Sequence, residues 1–139
     1  MDCIGAHFNQ GTTSPNDRDG APLLNGYHYS YYFWPMIDTY WGAFGGSRPV
    51  CFTELGFLTP DGFGGLPGGF AWAGQTSLAE HAQWLAEAAS LAGNSGKVRL
   101  MIIWNVDFTF FGGDPQAGYA IVRPDGSCPA CSALGAVVN

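Results

Sequence analysis

The sequence predicts an α/β protein built on a small parallel sheet, and three observations lead there. Three short apolar runs read as buried strands, helix-like segments separate them, and the connections after strands are much longer than those before them. The strand-like runs cover residues 2–7, 49–55 and 98–105, the last reading VRLMIIWN. None shows the polar alternation of a half-solvated antiparallel strand, which favours parallel pairing with helices packed against the sheet.

The clearest helix lies between the second and third runs. Ser77 and Glu80 have capping-box spacing, Leu78, Ala82, Leu85, Ala89 and Ala92 recur at helical intervals, and Gly93 is the expected stop. Between the first and second runs, residues 31–44 read as a helix with Pro35 in its first turn, where a missing N–H is tolerated. After the third run, residues 119–123 read as a short extended piece and residues 128–138 as a closing helix. The order is therefore β-loop-α repeated three times, the pattern of β/α crossover units. The long connections, residues 8–30, 56–75 and 106–118, are rich in Gly, Pro and aromatic residues, and all follow strands. In α/β folds the carboxyl ends of the strands carry the site, so chemistry is expected at that edge.

Composition narrows the function. The 139 residues are 47% hydrophobic, which fits one compact domain spanning residues 1–139. Only 12% are charged and the formal net charge is −6, so the basic field needed to bind nucleic acid or an anionic membrane is missing. No apolar run reaches the ~18 residues of a membrane-spanning helix. Five Trp, 15% aromatic residues and 21 Gly suit a surface that stacks flat, weakly polar ligands such as sugars. The chain opens directly into a strand-like segment with no leader-like stretch before it, which reads as a sequence whose upstream part lies elsewhere. Of the four cysteines, Cys128 and Cys131 form a close pair, as a local disulfide or as two thiols at a helix start. Cys3 and Cys51 fall inside apparent strands, so a zinc site lacks its other ligands, and neither metal nor cofactor is expected.

Collecting the strand ends gives His7 and Asn9 after the first, Glu54 after the second, and Trp104, Asn105 and Asp107 after the third. If Glu54 points to the inner side of the sheet, alternation places Val50 and Phe52 there with it and turns Cys51 and Thr53 towards the helices. His7 and Trp104 then converge on Glu54. An imidazole and an indole N–H would fix the carboxylate in one rotamer while apolar walls exclude water, an arrangement suited to a nucleophile. Trp72, Trp34, Tyr29 and Tyr31 lie in or beside the long loops and can stack sugars, whereas Asp61, Asp107 and Asp114 read as turn formers or solvated groups ahead of an acid/base role, and His28 as a loop hydrogen-bonder ahead of a catalyst. The competing reading makes Glu54 a buried acid paired with His7 and makes Trp104 ordinary core. It is less economical, because Arg48 and Arg99 lie near the opposite strand ends.

Three motifs carry a resemblance. A strand reading IGAHFN, a strand ending TELGF and a strand ending IIWN, spaced about one β/α unit apart, resemble the last three units of a retaining glycoside hydrolase (β/α)8 barrel. The similarity is to the clan of family 5 cellulase-like and family 39-like enzymes and spans nearly the whole chain. It implies a partial barrel of three parallel β/α units with Glu54 as nucleophile and Trp104 as the floor of the cleaved sugar's subsite. It also implies that His7 orients Glu54 or the substrate and that the setting is extracellular, as the low Lys content also favours; Asn9, Asn105 and Asp107, from their places at strand ends, and Trp72, from its loop, are expected to contact the sugar. The chain departs from the pattern in one important way: the acid/base glutamate of such enzymes follows an asparagine, and no Asn-Glu pair occurs here, Asn9-Gln10 being the nearest imitation. Two functions follow as expectations. One is a glycosidase portion completed by a missing amino-terminal barrel half, and the other a non-catalytic, carbohydrate-binding or self-associating partial barrel, paired as a homo-oligomer through its open sheet edges.

Overall fold

The computed structural model describes residues 2–138. Strand β1 is Ile4–Phe8, β2 is Val50–Leu55 and β3 is Val98–Ile103; helices α1 (Phe33–Ala43), α2 (Leu78–Asn94) and α3 (Pro129–Gly135) follow them in alternation. The strands form one open sheet in the order β1-β2-β3, and both pairings are parallel. The expected α/β order is therefore present, with the long connections following the strands.

Local chemistry accounts for the helix limits. Pro35 sits in the first turn of α1, and a separate single-turn helix, Tyr29–Tyr31, precedes it, so the expected start at residue 31 is too early. At the start of α2, Ser77 Oγ accepts the Glu80 N–H at 3.2 Å while Glu80 Oε2 accepts the Ser77 N–H at 2.8 Å, the reciprocal capping box. Gly93 does not stop this helix. It runs on to Asn94, and the chain turns at Gly96, whose φ of 64° is the left-handed conformation that favours glycine. Helix α3 is shorter than expected, with Pro129 at its first position and its end at Gly135. The β3 strand also ends early, at Ile103, although the Trp104 N–H still donates to the Leu55 carbonyl at 2.8 Å. Residues 119–123 form no strand; a short helical turn, Gln116–Tyr119, occupies their start. They nevertheless run beside the chain leaving β3, with Ile121 N–H and Val122 N–H donating to the Asn105 and Val106 carbonyls at 3.0 and 2.8 Å.

One face of the sheet is packed. Ala6, Phe8, Val50, Phe52 and Leu55 join Phe33, Met36 and Ile37 of α1 and Leu85 and Ala88 of α2 in a single core. Phe8 meets Phe33 and Phe57 edge-on, and Phe33 stacks on Phe52; each such ring contributes about 1.5–3 kcal/mol on burial. This reverses the expected facing of β2: Val50 and Phe52 lie against the helices, and alternation turns Cys51 and Thr53 to the other side. Glu54 still escapes the helix face because the register slips. Ala6 pairs with Phe52 and His7 with Glu54, leaving Thr53 as an extra, bulged residue.

The opposite face is bare. Gly5, His7 and Thr53 are exposed there, and Leu100 and Ile102 keep 44% and 47% of their surface in contact with solvent. A parallel sheet is ordinarily covered on both faces. Two disulfides brace the fold: Cys3–Cys51 ties the entry of β1 to β2, and Cys128–Cys131 closes the start of α3. The first joins the two cysteines that the sequence placed inside apparent strands. Among the described residues no helix is long and apolar enough to cross a membrane, and no group of three or more His, Cys, Asp or Glu is placed to hold a metal.

Candidate functional site

The carboxyl ends of β2 and β3 are pressed together at a glycine. A Cβ on Gly56 would overlap the carbonyl oxygen of Trp104 and lie 2.9 Å from the Tyr119 ring. The glycine of TELGF is thus required by the backbone of residue 104 passing over it, which locks the ends of β2 and β3 together. Above this junction lies a cleft of about 520 Å³, lined by Glu54, Trp104, Trp72, Phe70, Asn9 and Tyr119, with Gln10, Gly69, Asp114 and Gln116 completing its wall.

Glu54 is held asymmetrically. Asn9 Nδ2 donates to Oε2 at 2.9 Å, and His7 Nδ1 lies 3.5 Å from the same oxygen. Among the described residues every polar contact to this carboxylate goes to Oε2. The Glu54 side chain is 28% exposed, so the group is neither sealed in the core nor fully solvated. A carboxylate fixed through one oxygen keeps the lone pairs of the other for an incoming atom.

Trp104 performs a different task from the one expected of its indole. Its N–H donates to Gln116 Oε1 at 2.8 Å, not to Glu54; the amide of Asn9 is the donor that fixes the acid. Gln116 then donates through Nε2 to both oxygens of Asp114, at 2.8 and 3.0 Å. Because an indole N–H only donates, the amide oxygen must face Trp104 and the amide nitrogen must face Asp114. Trp72 and Phe70 pack beside Trp104 in a second apolar cluster with Leu58, Ala73 and Leu66, giving the cleft a rigid aromatic side.

Tyr119 ties this floor to β1. Its hydroxyl donates to the Asn9 carbonyl at 2.7 Å, and burial, reinforced by the charges of Asp114 and Glu54, pushes its ionisation well above the ordinary tyrosine range, so it stays a donor. Behind it, His81 of α2 is fully buried and donates through Nε2 to the Tyr119 carbonyl at 3.3 Å. Burial, with the nearby Arg123 charge adding to it, lowers the His81 pKa to about 4 against the smaller opposing effect of that hydrogen bond.

The structure therefore gathers Glu54, Asn9, Trp104 and Trp72 around one cleft, with His7 touching Glu54 from the exposed sheet face. Asn105 and Asp107 do not join them. Asn105 is buried as a brace, donating to the Gln116 carbonyl at 2.9 Å and accepting the Phe108 N–H at 3.0 Å, and the Trp104–Asn105 peptide is cis. Asp107 lines a separate depression beside Val122 and Pro124. Sequence reasoning missed Gln116, Tyr119 and Phe70, and took Asp114 for a turn former. Their only signal was position, since the first two belong to the segment leaving β3 and Phe70 to the loop after β2. No family model, no curated protein and no solved structure matches this chain.

Proposed function

We propose that the chain forms the carboxyl-terminal three β/α units of a retaining glycoside hydrolase barrel, with Glu54 as nucleophile and Trp104 as the floor under the cleaved sugar. The asymmetric anchoring of Glu54 supports this most directly: Asn9 holds Oε2 by a hydrogen bond, His7 stands 3.5 Å from the same oxygen, and Oε1 is left for the anomeric carbon. In the first step Oε1 bonds to that carbon while the glycosidic oxygen departs with a proton from a second carboxylic acid. Water then displaces Glu54 from that carbon, and the second carboxylate removes a proton from the attacking water. The bare sheet face and the unpaired edges of β1 and β3 favour completion by further β/α units, which would also supply the second carboxyl, about 5 Å from Glu54 in a retaining enzyme. Two disulfides fit an oxidising, extracellular setting.

The test avoids the missing acid. A deoxyfluoro glycoside with a dinitrophenolate leaving group needs no protonation, so it labels the nucleophile alone. Offered as gluco, manno and galacto isomers, at least one should add a single glycosyl mass that peptide mapping places on Glu54, and Glu54→Gln should stay unlabelled. No adduct with any isomer, or an adduct elsewhere, sinks the catalytic reading. Saccharide binding without labelling would support a non-catalytic module, self-associated through the edges of β1 and β3.

A further inference from the structure

Resting on the reading of this cleft as a saccharide site, we infer that it discriminates its sugar by charge, holding amino sugars more tightly than neutral ones and rejecting uronic acids. The charged groups in its wall are Glu54 and Asp114, both acids, and no Lys or Arg joins them. All five cations of the chain lie elsewhere. Arg18 and Lys97 are paired with Asp38 at 3.0 and 2.8 Å. Arg123 is buried among carbonyls, donating to Asp61 at 2.6 Å and to Ala120 at 3.1 Å. Arg48 sits just before β2, and Arg99 lies at the start of β3, away from the carboxyl ends of the strands. Among the described histidines, His7 faces the Glu54 oxygen that Asn9 already holds, and His81 is buried behind Tyr119 with its Nε2 on that residue's carbonyl.

The Asp114 charge is placed relative to the aromatic floor. The chain of hydrogen bonds from Trp104 through Gln116 to Asp114 brings one amide nitrogen to 2.8 and 3.0 Å from the two carboxylate oxygens and so places the acid beside the indole. Asp114 is itself exposed, so its remaining lone pairs are open to a ligand. A ring stacked on Trp104 presents its substituents to that anion. A hydroxyl donates an ordinary hydrogen bond, an ammonium donates a charge-assisted one, and a carboxylate is repelled with no cation to receive it.

The experiment compares three tetrasaccharides of one β-linked glucan backbone, cellotetraose and the tetramers of glucosamine and of glucuronate, by calorimetric titration near pH 6 (about that value keeps the amine protonated). The glucosamine tetramer should bind at least about threefold tighter than cellotetraose, with the advantage shrinking in high salt, and the glucuronate tetramer at least about threefold weaker. Asp114→Asn should abolish the amino advantage, so that the variant binds the glucosamine tetramer no tighter than it binds cellotetraose. Asp125→Asn removes the same charge outside the cleft and should preserve the order. Equal binding of all three, tighter binding of the uronate, an amino preference that survives Asp114→Asn, or binding of none overturns the inference. Labelling of Glu54 is read independently, so loss of charge discrimination and loss of the nucleophile are separate outcomes.

Discussion

Asn9 and Glu54, 45 residues apart in sequence, meet in one hydrogen bond of 2.9 Å that joins the end of β1 to the end of β2. The bond exists because of a register slip. With Thr53 bulged out, Glu54 pairs with His7 and its side chain emerges where the chain leaving β1 can reach it. The amide donates through its nitrogen and so holds the carboxylate in one orientation.

Asn9→Leu should therefore slow labelling of Glu54 by the fluoroglycoside about 10- to 100-fold. Asn9 also accepts the Tyr119 hydroxyl, but through its backbone carbonyl, which the substitution leaves in place. Unfolding in urea should thus move little, by roughly 1 kcal/mol or less. An unchanged labelling rate would mean that Glu54 needs no anchor.

Gly56 gives the second prediction. Its Cβ would have to share space with a backbone carbonyl, which unlike the end of a flexible side chain cannot swing aside. Gly56→Ala should cost about 3 kcal/mol in urea denaturation, at the upper end of ordinary overpacking, and should shift the Trp104 fluorescence. A variant as stable as the parent would show that the two strand ends are not locked together.

How much of this was legible in the sequence depends on the range of each interaction. Helix α2 could be read because Ser77 and Glu80 are three residues apart and their capping is local, and the strands because apolar runs are local as well. The facing of β2 could not, since simple alternation counts every residue and the bulge at Thr53 is a property of the pairing with β1. The Cys3–Cys51 bond was hidden for the same reason: it follows from the register that pairs Ile4 with Val50. Glu54 and Trp104 were found by their position at strand ends. The partner of each indole or amide in the loops was not, because Gln116 and Tyr119 reach the cleft through loop conformation that no periodicity encodes.

His81 predicts a pH dependence. Its pKa of about 4 in the fold lies below the 6.5 of an unperturbed imidazole, so between these values the unfolded chain binds the proton that the folded chain refuses. Stability is then fully present above about pH 6.5 and falls as the pH drops towards 4, by a total of about 3 kcal/mol. Urea midpoints measured across this window should decline, and His81→Gln should flatten the decline. Asp38, whose pKa is lowered through Lys97 and Arg18 against the opposing effect of burial, contributes its loss only at more acid pH. An equal slope in the variant would place the titration elsewhere.

The two disulfides should differ sharply in both stability and access. Cys3–Cys51 spans 48 residues and Cys128–Cys131 spans 3. Closing the longer loop restricts the unfolded chain more, so chain entropy assigns about 4 kcal/mol to the first and about 2 kcal/mol or less to the second. Exposure acts in the same direction, since Cys51 is 3% exposed and Cys131 is open to solvent. Mild reductant followed by alkylation and peptide mapping should modify Cys128 and Cys131 first, while Cys3 and Cys51 react only near the unfolding transition. Paired Cys-to-Ser replacement should reproduce the ranking in urea. If Cys3 and Cys51 were alkylated first, the sheet entry would have to open more readily than the exposed turn at α3, contrary to the burial of Cys51 against β1.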